Sequence, residues 1–290
     1  MIDSNGMVET IAGLPTEFGF TDGLKSNARF NSPRALTVDK NGNIYVSDTY
    51  NNLIKKVTIA GQVTTYAGAL STDVYHNGIH SNPSVDGAAR DARFFSPRGL
   101  TSDSKGNLYV ADFYHRTIRK ISPDGTVSTF AGSPNLAGTT DGRGSDARFM
   151  RPVGMTIDSN DNLYVADCYA HNIRKISPNG DDTTFAGVAQ SAGDDNGALT
   201  SAKFNCPRGL TFDEQGNLYV ADSNNDSVRM ISSRGTVSTL IGSTNALNGS
   251  TKIRLGPLPG YIGTPNDVVY IGKNTLAVSA GHAIYRVVLP

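Results

Sequence analysis

The residues of this chain best equipped for chemistry are histidines, arginines and tyrosines that recur in similar local contexts. His115 and His171 follow the segments Leu108–Asp112 and Leu163–Asp167, and His282 follows the apolar run Leu276–Ala280. Three imidazoles of this kind could ligate zinc, but no His-x-His pair occurs and the three stand far apart in sequence. Surface histidines without metal are the expectation. His76 and His80 are spaced four apart near Asp73 and Asp86, yet Gly78 and Pro83 oppose the helix that would align them. Arg34, Arg98 and Arg208 each follow a proline, with Val153 and Asn266 in the corresponding places elsewhere. Such guanidinium groups could hold a carboxylate or phosphate in bidentate fashion; pairing with nearby aspartates is the plainer reading. Tyr50, Tyr114 and Tyr169 lie just beyond the aspartates Asp48, Asp112 and Asp167, with Asn224 in the fourth place. They offer either a contact surface or cover for a seam. Asp194-Asp195-Asn196 carries oxygen ligands but matches an Asp-Gly found in other copies. No nucleophile elbow, phosphate loop or calcium loop is present.

These positions are set by a repeat. Pro33, Pro97, Pro152 and Pro207 open four copies spaced 64, 55 and 55 residues apart, and Pro265 opens a weaker fifth. A period of this length means a solenoid, an array or a propeller. Each copy reads as four short strands joined by tight turns. In the second copy these are Gly99–Asp103, Leu108–Ala111, Thr117–Ile121 and Thr126–Ala131. The second strand is apolar on both faces, as in a sheet covered by two neighbours. Small residues (Ala35, Gly99, Gly154, Gly209) open the first strand, where inner strands crowd an axis. The expected fold is therefore all-β: a five-bladed propeller of four-stranded antiparallel blades over residues 1–290. Its blades are expected near 32–68, 96–132, 151–187, 206–242 and 264–289. The last should be completed by residues 5–13, which read like the fourth strand Gly125–Gly132, so that Val8–Ala12 pairs with Tyr285–Val288.

The repeats resemble NHL repeats. Tyr-Val-Ala-Asp followed by His171-Asn172-Ile173 and Arg174-Lys175-Ile176 carries the likeness, as does the Asp-Gly, Ala-Arg-Phe, Pro-Arg-Gly series. The resemblance covers essentially the whole chain and implies a propeller. It leaves function open, because such propellers include scaffolds, receptor and sensor domains, RNA binders and a metal-dependent lyase.

Symmetry sorts the remaining residues. Arg29, Arg93, Arg148 and Lys203 with Asp22, Asp86 and Asp141 are expected to be structural ion pairs or loop ties. Asp48, Asp112, Asp167 and Asp222 are expected to accept backbone hydrogen bonds. The long connections between copies share one face with Tyr50, Tyr114, Tyr169, His115, His171 and the three arginines, and long loops on a rigid scaffold carry binding. The insertion Ala69–Phe95 is the asymmetric element expected to choose a partner. A protein partner is expected, with glycan binding as an alternative and a metal-dependent lyase or hydrolase at the channel mouth as the competing enzyme reading. No cofactor is expected, zinc or calcium remaining open. Twenty-six basic residues balance 26 acidic ones, which argues against nucleic acid. No secretory signal or membrane-length apolar run is seen, which suits a cytosolic protein or a domain of a longer parent. Cys168 and Cys206 fall near one seam. Free thiols are the default expectation, and a disulfide requires their Cα atoms within about 7 Å.

Overall fold

A computed structural model describes residues 9–70, 83–242 and 262–289. His76, His80 and Asp73, with residues 71–82 of the long insertion, lie outside the described residues. The described chain is all-β, and no helix among its described residues is long and apolar enough to cross a membrane. Its five antiparallel sheets are propeller blades, divided between two compact units, Met1–Phe130 and Ala131–Pro290.

The first unit holds blades one and two. Blade one runs through Pro33–Val38, Ile44–Asp48, Leu53–Val57 and Gln62–Ala67, and blade two repeats the order from Pro97–Ser102 to Thr126–Ala131. The second unit holds blades three and four, built alike, and a final sheet of Pro265–Tyr270, Thr275–Ala280 and Ala283–Val288. Each of the first four sheets carries a fifth strand that the sequence did not announce. Two residues of the preceding connection (Gly23–Leu24, Gly87–Ala88, Gly142–Arg143 and Gly197–Ala198) pair with the outer strand of the blade that follows. A two-residue strand has no periodicity to read, yet it covers an edge that would otherwise be bare.

The expected closing strand starts in residues outside the described set, and Glu9–Ala12 forms no strand. Ile11 and Ala12 pack against Val57 and Val63 of blade one. Gly13 N–H donates to the Lys25 carbonyl, as Gly68 donates to Ala89 and Gly187 to Leu199. The segment thus enters blade one as an outer strand enters the blade after it, without ladder bonds of its own among the described residues.

The crowding expected of the inner strands is explicit in the second unit. A Cβ on Gly154 would stand 1.9 Å from the Arg208 carbonyl oxygen, and one on Gly209 would stand 2.6 Å from the Asp267 Cα. Backbone meets backbone there, so no side chain fits.

Candidate functional site

In each of the first four blades the long connection is held by a network rooted in the second and third strands. Asp48 accepts the Asn31 N–H at 2.6 Å and Asp112 the Phe95 N–H at 2.7 Å. In the second unit Asp167 accepts from Met150 and Arg151, and Asp222 from Asn205. The repeated aspartate therefore anchors the connection to the strand, as its position implied. Burial pushes the carboxyls of Asp167 and Asp222 up to about 6 and raises that of Asp48, against the lowering pull of these N–H donors.

The ion pairs differ from expectation. Asp22, Asp86 and Asp141 do not pair with Arg29, Arg93 and Arg148 but with the cation at the middle of strand three. Lys55, Arg119, Arg174 and Arg229 are all completely buried. Lys55 reaches Asp22 at 2.7 Å and the Phe20 carbonyl at 2.8 Å. Arg119 reaches the Val85 and Arg93 carbonyls, both at 2.8 Å, with Asp86 and Asp112. Arg174 bridges the Arg148 carbonyl and Asp141. Arg229 bridges the Lys203 and Asp195 carbonyls, Asn196 and Asp222. The phenylalanine of each Ala-Arg/Lys-Phe triplet lies under its cation, with Arg119 5.2 Å from the Phe94 ring and Arg229 5.3 Å from Phe204. Arg29 and Arg148 tie their loops locally, to the carbonyls of Ser26 and Ser145, and Lys203 pairs with Asp195. The sequence signal was available: a basic residue stands at the middle of the third strand in all four copies, at the register that faces inward, while the basic neighbours Lys56, Lys120 and Lys175 alternate outward and are only half-buried.

The nominated site residues separate into engaged and outward-facing groups. His115 is not at the surface as expected but fully buried, its Nδ1 2.8 Å from Asp112 Oδ2, where Asn51 and Asn225 donate to the matching aspartates. His171 accepts the Cys206 N–H through Nδ1 at 3.1 Å, and burial lowers its pKa. Asn52 does the same for Ser96. Arg98 stacks on Phe113, 3.3 Å from the ring centroid, beside Tyr114, whose ring lies 4.9 Å from that of Phe113. Arg208 donates to Asn266 at 2.6 Å. Arg34 is exposed, as are Tyr50 and Tyr169 at 62% and 57%, each in the short 3-10 turn after strand two. Among the described residues no three His, Cys, Asp or Glu side chains gather as a metal-ligating group.

The cysteines correct the default expectation. Cys168 and Cys206 form a disulfide with Cα atoms 3.9 Å apart, joining the turn of blade three to the start of blade four. At the position of Cys168, Thr49 donates to the Pro97 carbonyl at 2.7 Å and Ser223 donates to that of Pro265. A covalent bond thus replaces a hydroxyl hydrogen bond across this seam. Sequence spacing placed both thiols at the seam but gave no distance between them. Reduction is expected to lower the unfolding free energy by roughly 2–4 kcal/mol. Guanidinium unfolding with and without dithiothreitol checks this, and an unchanged midpoint would contradict it.

The NHL repeat family model matches residues 30–57 and 149–176, and the Teneurin NHL domain model matches residues 186–254. The matched NHL segments run from the triplet phenylalanine, Phe30 or Phe149, to the end of strand three at Val57 or Ile176, a stretch that carries much of the buried network. The chain belongs to the NHL-repeat family. It is 30% identical to NHL repeat-containing protein 2 of Bos taurus over an alignment 308 positions long, gaps included, that covers 78% of this chain and 42% of that protein. It is also 30% identical to human Teneurin-4 over 179 residues, covering 57% of this chain and 6% of that protein. The chain spans less than half the length of these curated relatives. Among solved structures, one in a nidogen/laminin complex matches with a TM-score of 0.59 at 15% identity, over 91% of this chain and 78% of that one. A virginiamycin B lyase from Staphylococcus aureus matches at 0.52 and 15% identity, over 88% and 69%. At such identities the likeness is one of fold. At the level of the family, the NHL propeller supports a protein-interaction scaffold.

Proposed function

We propose that this NHL propeller is a non-catalytic binding module whose long-connection face meets a protein partner. What supports the reading is the division of labour on that face. The polar groups best placed for chemistry (the repeated aspartates, the strand-three cations, His115 and His171) are engaged within the fold. Exposed Tyr50 and Tyr169 stand on the short turns after the second strands, and exposed Arg34 stands at the start of the inner strand Pro33–Val38. Tyrosine and arginine are the residues most used as interface anchors where tryptophan is lacking. In the first unit the candidate contacts are Tyr50, Arg34, Arg98 and Tyr114; in the second, taken by itself, they are Tyr169 and Arg208.

Substituting Tyr50, Tyr169 and Arg34 together by alanine is expected to weaken partner binding by at least about 2 kcal/mol, roughly thirtyfold. The thermal midpoint should barely move. The measurement is affinity of wild-type and triple-variant protein for a partner identified by cross-linking. Unchanged affinity refutes the assignment of the face. A lyase activity lost in a folded His171→Ala variant would replace the binding reading with the enzyme one.

A further inference from the structure

The tight-turn side of the first unit contains a groove of about 530 Å³ between blades one and two, distinct from the long-connection face. Its walls include Tyr45, Tyr66, Ser102 and the lysines Lys40, Lys56 and Lys105. The repeat explains why it is open. Ser102 ends its inner strand opposite Leu108, and Phe212 ends its own opposite Leu218. Between blades three and four the ring of Tyr164 contacts Phe185 and Phe212, each with centroids 4.9 Å away. Tyr45 and Tyr66 reproduce the first of these contacts at 4.8 Å. The third ring is missing because serine stands in its place.

The chemistry of the walls narrows what could fill the gap. Tyr66 stands where the other matching positions hold Phe130, Phe185 and Leu240, so only here is a hydroxyl added. That hydroxyl makes no hydrogen bond among the described residues. The acidic neighbours are already occupied. Asp39 accepts from the N–H groups of Asn41 and Asn43 and from the Asn43 amide, and Asp103 accepts from Lys105, Asn107 and the Asn107 amide. Asp124 accepts from Ser122 and Thr126. None of the three lysine ammonium groups forms a salt bridge or hydrogen bond among the described residues. Between blades three and four the matching turns carry Ser159, Asn160, Glu214 and Gln215, without a lysine.

We propose that this groove binds a small organic anion with a flat apolar body, an aromatic carboxylate in the simplest case. The ring takes the place that Phe212 fills in the other seam, edge-on to Tyr45. The carboxylate lies toward Lys40 and Lys105, and the Tyr66 hydroxyl donates to it. A volume of this size suits a ligand of one to three fused rings. The site needs no partner on the opposite face, so it stands or falls separately from the binding reading above.

Titration of the whole chain with 2-naphthoate, followed by calorimetry and saturation-transfer NMR, tests it. Binding is expected in the sub-millimolar range, at least about fivefold tighter than for neutral 2-naphthylmethanol. Ser102→Phe is expected to weaken it by at least about tenfold, and Lys40→Gln with Lys105→Gln by about fivefold or more. Should Ser102→Phe lose its native thermal midpoint, Tyr66→Phe carries the same test with an expected loss of about threefold to tenfold. The proposal is overturned if 2-naphthoate fails to bind at millimolar concentration, or if a folded Ser102→Phe protein binds it unchanged. Equal binding of the neutral alcohol also overturns it.

Discussion

Replacing Arg229 with methionine is expected to destabilise the second unit by about 3–5 kcal/mol, because it strands a buried carboxylate. Arg229 is completely buried and joins two backbone carbonyls, Asn196 and Asp222 across the connection to blade four. Methionine fills much of the volume but donates nothing, so Asp222, itself fully buried, loses its only salt-bridge partner among the described residues. Burial already lifts the Asp222 carboxyl to about 6, against the lowering pull of Arg229. Without the guanidinium it rises further, so the penalty is largest at alkaline pH, shrinks as Asp222 of the variant gains a proton above pH 6, and is level below about pH 6. Guanidinium unfolding of Arg229→Met and of Arg229→Met with Asp222→Asn separates the causes. The double variant should lose less than the sum of the singles, and strict additivity would show that the pair does not act together. Arg229→Lys should recover only part of the loss. Lys55 serves blade one because Asp22 supplies a carboxylate within 2.7 Å, whereas blade four has Asn196 at that place.

Much of this architecture was legible because the chain repeats it. The four-strand layout, the opening prolines and the small residues of the inner strands recur at one spacing, and recurrence turns weak local signals into a strong joint one. The anchoring role of Asp48, Asp112, Asp167 and Asp222 followed from place alone. The ion pairs did not, because a cation inside an apolar strand contradicts the ordinary rule of burial. Arg29 and Arg93 stand nearer in sequence to Asp22 and Asp86 than Lys55 and Arg119 do. The two-residue outer strands are too short to show an alternation, although each opens on the glycine that follows Asp22, Asp86, Asp141 or Asn196, and the disulfide needed a distance that spacing cannot provide. Where the candidate sites lie was read better from differences between copies than from likeness: Ser102 against Phe212, Cys168 against Thr49 and Ser223.

Asp182 is such a difference, and its replacement by valine is expected to stabilise the protein. It occupies the strand-four position held by Val63, Val127 and Val237, all buried, and is itself 2% exposed. One oxygen contacts Arg174 and the other has no hydrogen-bond partner. Burial raises its carboxyl to about 7; Arg174 pulls it down, and Asp141 and Asp167 push it up. A folded-state pKa above the ordinary 3.8 means that the native protein holds a proton that the unfolded chain releases. Stability from this group is complete below about pH 4, falls as pH rises toward 7, and is then level. At about 1.4 kcal/mol per pH unit over some three units, the ceiling is about 4 kcal/mol. Asp182→Val should therefore exceed wild type by about 2–4 kcal/mol at pH 8, with the advantage shrinking toward pH 4. Blade two shows that the replacement fits, since Arg119 keeps Asp86 with Val127 alongside. Arg174 likewise keeps Asp141 and the Arg148 carbonyl. Asp167 and Asp222 titrate in the same direction, so the variant retains a shallower decline of its own between pH 4 and 6. Unfolding measured from pH 4 to 9 decides the matter: parallel stability curves for wild type and variant would mean that Asp182 does not carry this cost.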